Sequence, residues 1–291
     1  MTRFFNTAFM VICIGLLGLN CGNQEPDIVD QVDTPQLDEA QVIANRVMDA
    51  MGGKENWDNT RYLRFSFFGF RTHHWDKWTG RYRVSWTDRQ SKKDYLILMN
   101  LNTKEGKAFV AGEEVTDAEE LQELMTRGER AWINDIYWLL MPYKLRDPGV
   151  NLVYEGEVTI DEKIYDKLHL SFNEVGVTTG DEYWAYINKE THLMDKWEYL
   201  LQSREGQEER SRGEWKWNNW QPYGSILLST EREGTDGTKR AHGDVGVFDH
   251  MADAIFSSSD AVTDEMLILD MRAVRDAVRA SADGQSSRTV K

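Results

Sequence analysis

Apolar and polar positions change period several times along this chain, and each change marks an element. The first apolar run, Ala8 to Leu19 (AFMVICIGLLGL), follows a start whose only charge is Arg3 and leads to Cys21. At roughly 12 residues it is too short to cross a bilayer, which takes about 20. A positive start, an apolar centre and a small-residue exit make the layout of a secretory signal, assigned to residues 1–20. Residues 21–34 are polar and acidic and read as a flexible tether. Thr34-Pro35 then opens a helix, with Thr34 as the cap and Pro35 in the first turn. Leu37, Ala40, Ala44, Val47 and Met51 recur on one face, and Gly52-Gly53 ends it.

Beyond Trp57 the period falls to two. Tyr62 to Phe70 reads as one aromatic-rich strand. Tyr82, Val84 and Trp86 alternate with Arg81, Arg83 and Ser85, Lys93 to Leu101 follows, and Lys107 to Ala111 returns after a turn at Asn102–Gly106. Asp117 to Tyr143 interrupts this meander with helical spacing at Leu121, Leu124, Met125, Trp132 and Ile136, and Pro142 ends its dense Trp138-Leu-Leu-Met141 block. Strands resume to about residue 250, with hairpin signals at Asn188–His192, Glu205-Gly206 and Gly234–Gly237. The pairs Trp184/Tyr186, Trp197/Tyr199 and Trp215/Trp217 are spaced by two, so the rings of each pair share a face. Met266 to Ala282, with Leu267, Met271, Val274 and Val278 as its stripe, reads as a last helix in the C-terminal segment 259–283, and residues 284–291 as a frayed tail. The fold class is α+β, mainly β and antiparallel.

Charge narrows the partners. A formal charge of −15 repels phosphate backbones and anionic headgroups, which disfavours nucleic acid and polybasic membrane docking. The only cysteines are Cys13, inside the signal, and Cys21, so the processed chain has no disulfide and no sulfur metal site. No G-x-S-x-G elbow, phosphate-binding glycine loop or H-E-x-x-H helix occurs. No metal or other cofactor is expected. His73 and His74 are adjacent on a strand and face opposite ways, so they read as surface or hairpin histidines rather than as ligands. Glu155, Glu157, Asp181, Glu182 and Glu198 read as solvated strand edges. The 11 tryptophans have three readings: packing of a twisted sheet on its helices, walls of an apolar cavity, or, more weakly, exposed rings for carbohydrate stacking.

Two resemblances add to this. The segment ending at Cys21 resembles a bacterial lipoprotein signal, which implies acylation of Cys21; an ordinary cleaved signal with an incidental cysteine is the alternative. The stretch Trp132 to Val150, with Leu152 and Tyr154-Glu-Gly156, resembles a segment of bacterial envelope lipoproteins similar to the LolA/LolB group of periplasmic lipoprotein carriers. Ala50–Gly53 with Trp57, Asn188–Asp195 and Ala254-Ile-Phe256 agree with it, so that the resemblance covers about residues 37–257. It implies an incompletely closed antiparallel half-barrel over residues 35–258, with helices covering the open side. It also implies a lipid-like or lipoprotein acyl ligand, and a place in the bacterial envelope at the outer membrane, facing the periplasm. An anchored chain would be a receiver or stationary binder rather than a soluble shuttle.

The first functional expectation is therefore a binding protein, not an enzyme. Its apolar cavity is gated by the insert and touched by Trp138, Leu139, Leu140, Met141 and Tyr143. A structural or partner-binding lipoprotein, with the half-barrel filled by its own side chains, is the second reading. An envelope enzyme is the third. Oligomeric state is not legible in the sequence.

Overall fold

The computed structural model describes residues 38–173, 180–203 and 209–272. Cys21, the signal, the tether, the Glu205-Gly206 turn and most of the expected last helix lie outside them. Helices α1 (Glu39–Ala50) and α2 (Lys54–Asn59) precede strands β1 (Tyr62–Phe67), β2 (Arg71–Asp76), β3 (Arg81–Thr87), β4 (Asp94–Asn100), β5 (Gly106–Val110) and β6 (Glu113–Glu114). The long helix α3 (Ala118–Leu140) runs into a short 3-10 turn, Met141–Lys144. Then come β7 (Val150–Ile160), β8 (Lys163–Phe172), β9 (Glu182–Asn188), β10 (Met194–Leu201), β11 (Ser211–Tyr223), β12 (Ile226–Gly234), β13 (Lys239–Ala241) and β14 (Gly243–Met251). A short α4 (Ala254–Ser257), a 3-10 turn and β15 (Leu267–Leu269) close the described chain.

Two antiparallel sheets result, ordered β15-β14-β1-β2-β3-β4-β5-β6 and β13-β12-β11-β10-β9-β8-β7. Among the described residues no ladder joins them, so the mainly β fold stays open, as expected. Helices occupy the gap. Ala40, Ile43, Ala44 and Val47 of α1 and Ile136, Leu139 and Leu140 of α3 share one core with Leu63, Phe65 and Val247 of the first sheet and Leu168, Ala185, Trp197 and Trp217 of the second. The start of α3 packs Leu124 and Met125 on Ile97, Met99 and Ala108. Gly128 lets it approach, for a Cβ there would stand 3.0 Å from Ile97. In the second sheet Trp197 and Tyr199 pair with Ala185 and Tyr183, so they face the core, while Trp184 and Tyr186 take the outer face. On that outer face Glu155 pairs with Lys167, Glu182 with Arg210, and Glu198 with Lys196.

Four local expectations change. The cap of α1 is Asp38, whose carboxylate accepts from the Gln41 backbone N–H at 2.8 Å; Thr34 and Pro35 lie outside the described residues. Tyr62–Phe70 is not one strand. Phe68 and Gly69 take positive φ angles of 50° and 70°, and the Phe70 N–H reaches the Phe67 carbonyl at 2.9 Å, which turns the chain between β1 and β2. The last helix does not begin at Met266: Leu267–Leu269 pair with β14 as a strand instead. Sheet-edge hydrogen bonds there override the 3.6-residue apolar spacing. Finally, His73 and His74 do face opposite ways, but both are buried rather than at the surface.

The outer face of the first sheet is covered by the segment after β14. Arg83 donates to the carbonyls of Ile255, Ser258 and Asp260 beneath it. His74, between the cross-strand neighbours Arg64 and Arg83, is sealed there, and neither ring nitrogen has a hydrogen-bond partner among the described residues. Burial, reinforced by Arg83 and Arg64, pushes its pKa down to about 3.

At the end of α1 the chain meets β12. The Leu227 N–H donates to the Met51 carbonyl at 2.9 Å, and the Tyr143 hydroxyl lies 2.8 Å from that oxygen and 2.9 Å from the Leu227 carbonyl. Gly52 turns away at φ 113°, where a Cβ would stand 2.4 Å from the Ser225 carbonyl oxygen.

Two predictions follow from this packing. Gly52→Ala, strained and in collision with backbone, should cost at least ~2 kcal/mol in urea unfolding. An unchanged midpoint would mean that α1 does not hold this approach to β12 in solution. The second concerns pH. His74 binds its proton more weakly folded than unfolded, so the stability from its neutral ring is complete above the unfolded value near 6.5. It is lost as the pH falls from there toward 3. By pH 4.5 the loss should be on the order of 2–3 kcal/mol. His74→Leu should flatten the stability profile between pH 7 and 4.5 by about that amount, with no loss at pH 7; a profile of unchanged slope would refute the assignment.

Candidate functional site

A polar chain runs through the core where α3 crosses the first sheet. Asp135 sits on the apolar stripe of α3 and is fully buried. Arg71 grips it at 2.5 and 2.6 Å, and Asn134 donates to the same carboxylate at 2.8 Å. His73, two residues along β2 and on the same face as Arg71, places Nε2 at 3.0 Å from Asp135 Oδ2 and Nδ1 at 2.7 Å from the Tyr82 hydroxyl. The imidazole stacks on Phe65 at 4.4 Å. Burial works against the Asp135 charge, but His73 and Arg71 outweigh it and hold the carboxyl below its usual range. Burial holds His73 neutral despite Asp135 and raises Tyr82 well above the ordinary phenol range.

A second buried cation meets α3 from the other sheet. Arg232 on β12 lies 3.4 Å over the Trp217 ring and has no carboxylate partner among the described residues. It donates to Ser229 and Glu231 and to the Trp138 carbonyl, which His242 Nε2 also approaches at 3.3 Å. That carbonyl belongs to the last turn of α3, where the helix dipole presents partial negative charge. Burial alone lowers the Arg232 pKa, and burial together with Arg232 keeps His242 neutral.

The expected ligand residues divide. Leu139, Leu140, Met141 and Tyr143 are all buried in the central core, where they fill the space between the sheets. Trp138 is half-buried, packed against Trp197 at 4.9 Å, Trp215 at 5.5 Å and Phe68 at 5.5 Å. Phe68 is the link to open space. With Phe67, Phe70, Arg89 and Arg240 it lines a pocket of about 390 Å³, within the size range of small-molecule sites. The hollow therefore lies beyond Trp138 at the β1–β2 turn, not beside the Leu-Leu-Met run.

The conformation of Phe68 sets it apart. Two successive positive φ angles belong to the tightest hairpin turns, where Asn-Gly is favoured and a bulky side chain pays about 1–2 kcal/mol. The ring stands against Trp138, Phe67 and His242, with the Arg240 guanidinium 5.7 Å from its centroid. Arg71 lies over Phe67 and Phe70, and Arg89 over Phe70. A smaller pocket of about 210 Å³ adjoins, lined by Arg71, Trp86, Arg127, Arg130, Ala131 and Asn134.

Sequence reasoning passed over Arg71, Asp135, Phe68, Arg89, Arg232 and Arg240. One signal was present: Asp135 is an acidic residue on a stripe otherwise made of Leu124, Gly128, Ala131, Ile136 and Leu139. Among the described residues no group of three His, Cys, Asp or Glu could hold a metal ion, and no helix is long and apolar enough to cross a membrane.

Comparison with known proteins gives limited relations. Residues 121–231 match a family of unknown function, DUF6503. No curated protein sequence matches the chain. Among solved structures, the chain is similar to a DUF1329 family protein from Desulfovibrio piger, at 9% identity over 77% of this chain and 99% of that one, with a TM-score of 0.39. It is also similar to a LolA superfamily protein from Nitrosomonas europaea, at 13% identity over 75% and 97% of the two chains, with a TM-score of 0.39. No residue role passes to this chain from either.

Proposed function

We propose that this chain is an envelope lipoprotein, anchored through acylated Cys21 at the outer membrane and facing the periplasm. On this reading it binds an apolar, lipid-like ligand at the pocket of Phe67, Phe68 and Phe70. The observation that carries the reading is Phe68: a strained aromatic residue at a turn position, directed at Trp138 and a pocket rather than folded into the core. The pocket is shallow, and the inner space is filled by the insert, so the ligand would lie along the rings instead of being swallowed. Five methylenes laid on these rings would gain about 4 kcal/mol, which corresponds to millimolar affinity before ordering costs.

Binding suits the site better than catalysis. Asp135, His73 and Tyr82 are arranged as an acid–base chain, but all three side chains are sealed from solvent. A second reading, a structural or partner-binding lipoprotein, draws on the self-filled core of Leu139, Leu140, Met141 and Tyr143.

Tryptophan fluorescence of the full chain carrying Cys21→Ser, titrated with 1-decanol, tests the site. Phe68→Asn should weaken the response at least tenfold. Its stability should change by under ~1 kcal/mol, because relief of the left-handed backbone offsets the lost ring contacts. Equal affinity in Phe68→Asn, or no response in either protein, would sink the binding reading. In the producing cell, Cys21→Ser should move the protein from the membrane to the soluble fraction. Continued membrane association would refute the anchor.

A further inference from the structure

Around the phenylalanine pocket the charge of the protein is reversed. The chain carries a net −15, yet Arg71, Arg89, Arg127, Arg130 and Arg240 line the two adjoining pockets. Arg71 joins them, for it lines the smaller pocket and lies over Phe67 and Phe70 of the larger. Its own charge is answered by Asp135. Arg89, Arg130 and Arg240 have no carboxylate within ion-pair distance among the described residues. The nearby acids are engaged mainly by other groups. Asp88 accepts from Ser91 and the Gln90 N–H and lies 4.0 Å from Arg127, and Asp236 accepts from Thr238 twice, with Arg240 a weaker, longer-range influence on its charge.

The arginines at the larger pocket are also placed by rings. Arg89 lies 5.2 Å from the Phe70 centroid, and Arg240 lies 5.0 Å from Trp215 and 5.7 Å from Phe68. Neither guanidinium donates a hydrogen bond to a protein group among the described residues, so the five N–H donors of each are open to a planar or tetrahedral anion. A purely apolar ligand would leave these donors unanswered. A ligand with one anionic group at the end of an acyl chain would answer both features of the pocket.

Resting on the apolar site proposed above, we infer that the ligand is an anionic amphiphile. Its chain would lie on Phe67, Phe68 and Phe70, and its carboxylate or phosphate would be held between Arg89 and Arg240. A free fatty acid and an anionic phospholipid share this chemistry.

The test is a titration of the full chain carrying Cys21→Ser with decanoate, decyl phosphate, 1-decanol and inorganic phosphate. Decanoate and decyl phosphate should bind at least tenfold more tightly than 1-decanol, and the advantage should shrink with added salt. In the double variant Arg89→Gln/Arg240→Gln, whose melting temperature should match the parent, both anions should lose their advantage over 1-decanol measured in the same variant. Equal affinity of 1-decanol and the two anions in the parent overturns the headgroup inference and leaves the apolar site standing. No binding of any chain overturns both. Inorganic phosphate binding as tightly as decyl phosphate marks a plain anion site and also overturns the inference. Flotation with vesicles separates the sources. Capture by phosphatidylglycerol but not phosphatidylcholine vesicles, lost in the double variant, identifies a phospholipid headgroup. Binding of decanoate without vesicle capture identifies a free acid.

Discussion

Two sheets that share no hydrogen-bond ladder among the described residues need something else to set their relation, and here it is helix α3. One turn of this helix offers two negative groups, one to each sheet. Asp135 turns to the first sheet, where Arg71 and His73 meet it. Three residues on, the Trp138 carbonyl turns to the second sheet, where Arg232 meets it. Neither contact is a cheap source of stability, since desolvating a charge cancels most of what its partner returns. Their effect is on placement. A helix that slid by one residue would leave the Asp135 carboxylate buried and unmatched and strip the buried Arg232 of the Trp138 carbonyl, at a cost of several kcal/mol.

That placement decides what space remains. With α3 pinned, its last turn drives Leu139, Leu140 and Met141 into the middle of the fold, and Tyr143 completes the seal against Met51 and Leu227. A wide acyl-binding interior does not survive this filling. What is left is the margin, where the β1–β2 turn carries Phe68 against Trp138. The same polar chain that fixes the helix fixes the margin too, because Arg71 is held by Asp135 on one side and covers Phe67 and Phe70 on the other. Core and pocket are thus joined through Arg71, and a change in helix position would reach the pocket through it.

The distribution of charge fits this division. Acidic residues on the outer face of the second sheet are taken up locally by lysine and arginine across neighbouring strands, as with Glu155 and Lys167 or Glu182 and Arg210. At the phenylalanine pocket the balance tips the other way, and arginines outnumber the acids that could answer them. Local potential, not net charge, governs what approaches a site within a Debye length of about 10 Å. The strongly acidic composition therefore does not by itself exclude an anionic ligand there.

Periodicity alone determined β3, β4 and β5, the helical insert, and the Asn188 and Gly234 hairpins, because amphipathic spacing and turn chemistry are local properties of the chain. It also paired the rings correctly: Trp197 and Tyr199 do share a face, and so do Trp184 and Tyr186. It failed where a long-range partner outweighed the local pattern. Phe68 breaks an aromatic strand because the chain must double back to form β2, and no propensity favours phenylalanine at a left-handed turn. His73 and His74 read as surface groups because nothing nearby in sequence announces that Asp135 lies over one and the segment after β14 over the other. Only the tertiary structure decided that Leu139, Leu140 and Met141 fill the interior while Trp138 faces its edge. The helical period places these residues around an axis, but which side of that axis meets a wall and which meets an opening depends on strands as much as a hundred residues away.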